Sequence, residues 1–496
     1  MARGSLVLIG FMGAGKSSAL DDVLDTDRLL EDQLEMSIAT FFAAYGERRF
    51  RQREEPVVLR ALRSGAPAVA LGGGAVLSQS VRAALAEHTV VWMDVSLETA
   101  WERAAGEDRP LAADREAFAA LYHERRPLYE SIADAFIPEG DRLVRRAQPA
   151  LDALREAPPG TKLVYAATAG GDYPVYVGRG LLGGLPRPGR RAFLVTDEHV
   201  IQYYGPRVRD VHHTIAIEPG EEHKTIAGAE RVWRELAAQG MGRDDHLVAL
   251  GGGVVGDLAG FCAATYQRGV PVVQVPTTVV AQVDSAYGGK TGVDLPEAKN
   301  YVGVYHQPAA VITDVDTLAT LAPEEHAAGY AEVLKTALIA GGSLWERVAD
   351  GADVDERVVL DCARTKLAVV AADERDAGAR QMLNLGHTVG HAIETVTGYA
   401  RYRHGEAIAL GLLAALRLSG CDELRAQVSE LLARRGLPTR LENAAPADVV
   451  AATKLDKKRR GDEVPFVLVR APGDVRFGQH VASEEVLAAV AELAAG

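Results

Sequence analysis

The chain has 496 residues, of which 48% are hydrophobic and 25% are charged, and its net charge is −14. This length exceeds what one hydrophobic core usually serves, so we expect two or three globular domains. The acidic balance argues against a nucleic-acid-binding protein, because such proteins present basic surfaces to phosphates. Three separated cysteines, Cys262, Cys362 and Cys421, exclude a disulfide scaffold and a cysteine zinc site.

No apolar run reaches the length of a membrane span, and the first five residues lead directly into LVLIG without a signal-peptide pattern. We therefore expect a cytoplasmic protein that contacts neither a membrane nor nucleic acid. Small anionic substrates are compatible with an acidic chain, since a local basic pocket is enough to bind them.

The pattern of apolar and polar residues divides the chain into an α/β part and a helical part. Residues 1–155 alternate short apolar runs with amphipathic stretches, which predicts a three-layer α/β domain. A Pro-Pro-Gly sequence marks a linker at 156–161. Residues 162–322 predict a Rossmann-like α/β domain that opens with an antiparallel hairpin. Residues 323–496 have helical spacing and predict an all-helical metal-binding domain.

The first strand runs into GFMGAGKS, which matches the phosphate-binding pattern G-x-x-x-x-G-K-[ST]. Gly13 and Gly15 let backbone N–H groups surround the phosphates of a nucleotide. Lys16 would neutralise phosphate oxygens and Ser17 would hold Mg²⁺. The sequence therefore predicts a site for ATP with magnesium.

The helix that should follow this loop is short. Only seven residues, Lys16 to Asp22, separate Gly15 from the strand-like VLD, whereas a parallel crossover with its helix takes at least about 10 to 12 residues. A stub can still bind an anion, because the helix dipole acts within the first turn. Reaching the next strand in parallel register is the harder problem, and kinase turnover stays an open question.

Acidic and basic residues then follow at the ends of predicted strands, where they suit a small hydroxylated acid. The charged residues are Asp25 and Asp27 after a strand, Arg51 and Glu54 three residues apart, Arg109 before a helix, and Arg125 in ERRPLY. The glycines Gly72 to Gly74 follow another strand between Glu54 and Arg109. Taken in this order, residues 5–150 resemble shikimate kinase, with the first helix cut to a stub.

This resemblance implies individual roles. Asp25 would lie near magnesium and the accepting hydroxyl, and Arg109 would be the lid arginine that stabilises the transferred phosphoryl group. Arg126 stands where that family more often has asparagine. Shikimate would be held by Asp27, Arg51, Gly73, Gly74 and Arg125.

In the second domain GGGVVGD follows the apolar strand LVAL and opens a helix. The arrangement suits close approach of the backbone to a pyrophosphate, although a plain tight turn explains this motif about as well. QVDSAYGGKTGVD and PGEEHKT place charged residues beside further glycines, which suggests a second anionic ligand nearby.

The helical domain carries a carboxylate and histidines at metal-ligand spacing. Glu332 and Lys335 share one helical face, His387 and His391 stand four residues apart, and His404 follows in RHGEA. One carboxylate with two or three histidines suits zinc with an open coordination position. Spacing alone would make His387 and His391 the histidine pair.

The motifs GGGVVGDLAGF, QVPTT, QVDSAYGGKTGVD, AEVLK, DERD, NLGHTVGHAIE and HGEA resemble 3-dehydroquinate synthase in their order, over residues 162–475. The resemblance implies zinc or cobalt held by Glu332, His387 and His404, with His391 left for substrate contact or proton transfer. It implies NAD contacts at Asp197, Glu221, Lys224, Gly252, Gly253, Val254, Asp257, Thr277, Thr278, Lys290 and Lys299. It implies substrate contacts at Asp284, Lys290, Asn300, Lys335, Lys366, Arg268, Arg380, Asn384 and one of Lys457 and Lys458.

Together the two resemblances imply a bifunctional enzyme. The synthase would convert 3-deoxy-arabino-heptulosonate 7-phosphate to 3-dehydroquinate and phosphate, and the kinase would phosphorylate shikimate with ATP. Three alternatives stay open: a kinase-like domain that only binds or assembles, a different sugar phosphate cyclase, and a metal-dependent polyol dehydrogenase. A homodimer through the synthase half is expected from the family alone.

Overall fold

The computed structural model describes residues 4–105, 112, 114–140, 142–184, 186–453 and 464–495. The chain divides into two compact units. The first consists of Met1–Ala167 with Pro174–Tyr176, and the second of Thr168–Tyr173 with Val177–Gly496. In the part of the chain that is described, no helix has both the length and the apolar character that crossing a membrane requires.

The first unit is built on a parallel sheet whose faces are covered by helices, as a buried parallel sheet requires. Its strands are β1 (Leu6–Ile9), β2 (Val23–Asp25), β3 (Ala68–Ala70), β4 (Thr89–Asp94), β5 (Ala135–Pro138) and β6 (Lys162–Thr168). Its helices are α1 (Thr26–Leu34), α2 (Ile38–Leu62), α3 (Gln79–Leu85), α4 (Leu97–Ala104), α5 (Arg115–Ile132), α6 (Leu143–Arg146) and α7 (Gln148–Glu156). The strand order is β2-β3-β1-β4-β5-β6, with β1 fully buried.

The segment after the phosphate loop contains one 3₁₀ turn, Lys16–Ser18, in place of an α-helix, so the predicted stub is confirmed. β2 nevertheless pairs with β3 in parallel, Val23 opposite Ala68, which in turn faces Leu6 of β1. The chain must therefore return by three strand residues, about 10 Å, and seven residues can span that distance without an α-helix. The parallel register is reached because the return covers the length of β1, which has only four residues.

Strand β6 and strand β7 (Gly171–Gly178) form the hairpin-like segment that the sequence places at the start of the second domain. β6 pairs in parallel with β5, Ala135 opposite Leu163, and belongs to the first unit as far as Ala167. The domain boundaries at 155, 162 and 322 stay predictions.

The second unit begins with a parallel sheet of Rossmann type. Its strands are β8 (Ala192–Asp197), β9 (Val211–Ile217), β10 (His246–Gly251), β11 (Val272–Pro276) and β14 (Ala310–Asp314), in the order β14-β11-β10-β8-β9. Helices α8 (Val200–Tyr204), α9 (Ile226–Ala238) and α10 (Gly253–Thr265) and the hairpin β12 (Lys290–Leu295) and β13 (Ala298–Tyr305) complete this part. Its core joins Phe193, Leu247, Leu258 and Val272 from both layers.

The remaining helices are α11 (Pro323–Ala340), α12 (Gly342–Ala349), α13 (Glu356–Ala372), α14 (His387–Val396), α15 (His404–Leu418), α16 (Asp422–Arg434), α17 (Pro446–Thr453) and α18 (Ser483–Ala495). The fold class is as predicted, but this part is not all-helical. A hairpin of β15 (Pro465–Ala471) and β16 (Asp474–His480) interrupts it, because apolar and β-branched residues flank a turn in which Gly473 has φ 88°.

Glycines let α15 approach its neighbours backbone to backbone. A Cβ at Gly405 would lie far below 3.0 Å from the carbonyl of Ala328 in α11, and a Cβ at Gly411 equally close to the carbonyl of Gly386 before α14. The first residues of α14 and α15 are thereby held beside the middle of α11, and these first residues are His387 and His404.

Candidate functional sites

A cavity of about 990 Å³ opens at the carboxyl end of β10 in the second unit. Ten of the eleven predicted NAD residues line it: Asp197, Glu221, Lys224, Gly252, Gly253, Val254, Asp257, Thr277, Thr278 and Lys299. A Cβ at Gly252 would lie 2.9 Å from Thr278 Cγ2, so only glycine gives the backbone this close approach. Thr277 Oγ1 is buried and has no hydrogen-bond partner among the described residues. The N-terminus of α10 and this orphaned hydroxyl therefore fit a dinucleotide phosphate.

Lys224 is the charged centre of that cavity wall. Its Nζ lies 2.6 Å from Glu221 Oε1 and 3.3 Å from Asp257 Oδ2, and it donates to Asn300 Oδ1 at 2.9 Å. Burial raises the pKa of Asp257 to about 6, although Lys224 opposes the shift. One buried ammonium thus holds several carbonyl and carboxylate oxygens in fixed positions.

Three side chains converge beside this cavity in a way that suits a metal ion. Oε1 of fully buried Glu332 lies 3.6 Å from His387 Nε2 and 3.4 Å from His404 Nε2, and the candidate ligand atoms are all within 4.8 Å of one another. His387 Nδ1 faces the carbonyl of Leu385 at 3.1 Å, so its Nε2 lone pair points to the centre. The donor set fits zinc or cobalt.

His391 lies outside this group of three. Its ring is 5.2 Å from that of His387 and 5.9 Å from that of His404, centroid to centroid. It belongs instead to a second group with Glu394 and His404. The histidine pair that spacing alone suggests is therefore not the pair that faces Glu332.

A series of alternating charges leads from the metal-ligand group to the predicted substrate residues. Lys335 Nζ lies 2.5 Å from Glu332 Oε2 and 2.8 Å from Asp284 Oδ2, and Lys366 is hydrogen-bonded to the Asp284 carboxylate. Burial opposes ionisation of Asp284, but the two lysines outweigh it and hold its pKa well below the usual range. Burial lowers the pKa of Lys366 to about 8.

The other predicted substrate residues differ in their surroundings. Arg380 is buried and donates to the carbonyls of Glu374 at 2.5 Å and Gly288 at 3.1 Å. Lys290 lies outside the dinucleotide cavity and pairs with Asp376 at 2.6 Å. Asn384 ends the 3₁₀ turn Ala379–Asn384, just before α14. Arg268 is exposed, with φ 69°, and no described hydrogen bond or ion pair joins it to the rest. Lys457 and Lys458 lie outside the described residues.

The phosphate loop of the first unit has the backbone that its glycines predict. Gly13 and Gly15 both have φ 79°, and a Cβ at Gly13 would meet the carbonyl of Ala100 at 2.8 Å. Lys16 Nζ donates to the carbonyls of Gly10 at 2.9 Å and Phe11 at 3.1 Å. Ser17 is exposed. Asp25 Oδ1 caps α1 by accepting from the N–H of Asp27 at 2.8 Å.

The predicted shikimate residues gather beside the loop. Arg51 Nη1 lies 2.6 Å from Glu54 Oε2, and a Cβ on Gly74 would overlap the Arg51 guanidinium. Arg125 is buried, with its guanidinium 6.0 Å from the centre of the Phe11 ring. A Cβ on Gly72 would likewise overlap the carboxylate of Asp27. The result is a pocket floor of glycine backbone with charged groups around it. The predicted lid arginine, Arg109, lies outside the described residues.

Glu54, which the sequence places three residues after Arg51, is buried against it. Two other site residues, Tyr129 and Asp94, are not predicted from the sequence. Tyr129 donates to the carbonyl of Gly73 at 2.5 Å, and it stands four residues after the predicted Arg125 on the same helix, which is the available signal. The pair of Arg126 with Asp94 at 2.6 Å joins residues 32 apart, and no local pattern points to it.

Both halves of the chain match models of known protein families. Residues 12–154 match the model of the shikimate kinase family, 214–328 the N-terminal model of 3-dehydroquinate synthase, and 329–459 its C-terminal model. A 3-dehydroquinate synthase of Halorhodospira halophila is 44% identical over 327 residues, covering 61% of this chain and 91% of that protein.

Two solved structures share the fold of the second unit. The 2-epi-5-epi-valiolone synthase of Streptomyces hygroscopicus subsp. jinggangensis 5008, with NAD⁺ and Zn²⁺ bound, is 26% identical with a TM-score of 0.60, covering 66% of this chain and 98% of that one. A 2-deoxy-scyllo-inosose synthase complexed with carbaglucose-6-phosphate, NAD⁺ and Co²⁺ also has a TM-score of 0.60, at 24% identity, covering 67% and 100%. The second likeness concerns the fold alone.

Proposed function

Because the chain belongs to the 3-dehydroquinate synthase family and carries a shikimate kinase domain ahead of it, we propose that it is a bifunctional enzyme. The synthase half converts 3-deoxy-arabino-heptulosonate 7-phosphate to 3-dehydroquinate and phosphate. The kinase half transfers the γ-phosphate of ATP to shikimate. The observation that carries the synthase proposal is the convergence of Glu332, His387 and His404 beside the dinucleotide cavity.

The groups that this site would hold would supply two kinds of chemistry: reversible hydride transfer from NAD, and acidification of a substrate hydroxyl by zinc or cobalt. The chain supplies the rest. Gly252, Gly253 and the N-terminus of α10 would hold the pyrophosphate. Lys335 and Lys366, oriented by Asp284, hold the anionic groups of the substrate in place. His391, at the cavity wall, is placed to move a proton while phosphate leaves by β-elimination.

Phosphate release from the heptulosonate phosphate, measured with NAD and Zn²⁺ or Co²⁺, tests the synthase proposal. We expect catalytic NAD, no net NADH and loss of activity in Glu332→Ala and His387→Ala. Stoichiometric NADH would identify a polyol dehydrogenase instead, and preference for another sugar phosphate would identify a different cyclase. Full activity in both variants would overturn the metal-site assignment.

The kinase proposal is supported by the phosphate loop and by the charged pocket of Asp27, Arg51 and Arg125 beside it. ADP formation that depends on shikimate, and its loss in Lys16→Ala, tests this half. The Lys16→Ala chain should keep its full synthase activity, which makes each half the control for the other. Tight shikimate binding without turnover would support the alternative that the kinase-like domain is a binding module.

We include a homodimer through the synthase half and a cytoplasmic location in this proposal. The dimer is supported by the apolar exposure of β13, on which Val304 is 37% and Tyr305 41% exposed. Sedimentation of the wild type and of Val304→Glu tests it, since a charge on this strand should shift a dimer to monomer. The location is supported by three free cysteines.

A further inference from the structure

We propose that Glu394 is a positioning residue that holds the ligand His404 and links the metal site to the NAD side of the cavity through Lys299. This rests on the metal and NAD sites of the proposed function, and it assigns a role to a buried carboxylate that the reaction described above does not use. Its consequence is that metal affinity and NAD affinity depend on each other.

The first observation is the environment of His404. Its Nδ1 lies 3.4 Å from Glu394 Oε2, while its Nε2 lies 3.4 Å from Glu332 Oε1. The imidazole is therefore held at both nitrogens, with Nε2 directed to the metal-ligand group. A carboxylate at the outer nitrogen fixes the tautomer of a metal-binding histidine and strengthens its inner nitrogen as a ligand.

The second observation is the other oxygen of the same carboxylate. Glu394 is 2% exposed, and its Oε1 lies 3.6 Å from Lys299 Nζ. That ammonium also stands 4.5 Å above the ring of Tyr399. One buried carboxylate thus contacts an ammonium on one side and a metal-ligand imidazole on the other.

This geometry couples the two ligands of the site. Lys299 lines the dinucleotide cavity, so an anionic group bound there draws the ammonium away from Glu394. The carboxylate then acts on His404 alone and becomes a stronger acceptor for its N–H. NAD should therefore raise metal affinity, and by thermodynamic linkage the metal must raise NAD affinity by the same factor.

A second arrangement of these residues makes a different prediction. Ligand atoms of His391, Glu394 and His404 also lie within 4.8 Å of one another. If Glu394 were itself a ligand, the chain would bind a second ion in this group. The number of ions bound per chain therefore separates a positioning carboxylate from a ligating one.

The experiment titrates the metal-free full chain with Co²⁺, with and without NAD, and follows the visible absorption of the bound ion. Glu394→Gln should weaken Co²⁺ binding about 10- to 100-fold while one ion per chain remains the limit. NAD should raise the affinity of the wild type about fivefold or more. In Glu394→Gln and in Lys299→Met this enhancement should disappear.

Glu325→Gln is the matched control. Glu325 lines the same cavity but pairs with Arg403 at 2.8 Å, and no hydrogen bond or ion pair among the described residues joins it to a ligand of the metal group. The Co²⁺ affinity of Glu325→Gln should therefore equal that of the wild type. Thermal unfolding of each metal-free variant checks that the fold is kept, and Glu394→Asp provides a second variant, because its shorter side chain should also fail to hold His404.

Wild-type affinity in Glu394→Gln, two ions per chain, or NAD enhancement that survives both substitutions would overturn the inference. Glu332→Gln separates its failure from that of the proposed function. Loss of Co²⁺ binding in Glu332→Gln with no effect of Glu394→Gln would sink the role of Glu394 alone. Full Co²⁺ binding in Glu332→Gln would overturn the metal site itself.

Discussion

Replacing Gly74 by alanine should disable the kinase without unfolding it. The backbone at Gly74 (φ −100°, ψ −5°) accepts alanine, but the new Cβ would overlap three atoms of the Arg51 guanidinium. Since non-bonded heavy atoms rest about 3.5 Å apart, Arg51 must move by more than about 1 Å. Displacement of a substrate-binding group by this amount costs about 100-fold in rate, or about 2.8 kcal/mol.

The assay is ADP release at varied shikimate, with phosphate release by the synthase half of the same molecule as the internal standard. Glu54 loses its partner at 2.6 Å, so we also expect the kinase domain to lose about 1 to 3 kcal/mol of unfolding free energy. Arg51→Ala should reproduce the loss of activity, and the double variant should be no worse than either single one. Wild-type kcat/KM in Gly74→Ala, or losses that add, would refute the reasoning.

Three further predictions concern the synthase half. The kcat/KM of the synthase should fall as the pH rises above about 8, where Lys366 loses its proton. In Lys366→Arg the fall should move to higher pH, because arginine stays charged. An unchanged pH profile in this variant would contradict the prediction. Removing the bound metal with a chelator and then adding Mg²⁺ should stop phosphate release by the synthase half and spare shikimate phosphorylation, because the metal ligands Glu332, His387 and His404 belong to the synthase half alone. Equal loss of both activities would contradict this prediction. Gly411→Ala should lower the synthase unfolding free energy by about 3 kcal/mol, measured by calorimetry, because its Cβ would overlap the Gly386 carbonyl; an unchanged transition contradicts it.

Features that depend on neighbours in sequence could be predicted. The phosphate loop, the glycines before α10 and the alternation of buried strands with helices are local patterns, and the structure has them where the sequence places them. The stub after the loop was also predictable by counting. The parallel register of β2 was not, because the crossover rule assumes a strand of ordinary length to return along, and β1 has only four residues.

Features that depend on packing could not be predicted from spacing. His404 joins Glu332 because Gly405 and Gly411 let α15 approach two other backbones, and no spacing of histidines records that. Lys366 and Asp284 are 82 residues apart, so only the resemblance put them in one site. Glu394 stands three residues after His391, but its neighbour Lys299 comes from another part of the chain.

The series Lys366, Asp284, Lys335 and Glu332 has a formal sum of zero. A divalent ion held by Glu332 and two neutral imidazoles would therefore keep two positive charges that these four groups do not cancel. The substrate of the proposed synthase reaction brings three negative charges, two on its phosphate and one on its carboxylate, and so more than compensates them. Once that phosphate has been expelled, the carbocyclic product keeps a single carboxylate and leaves the centre under-compensated. The uncompensated positive charge of the site therefore favours binding of the substrate over retention of the product.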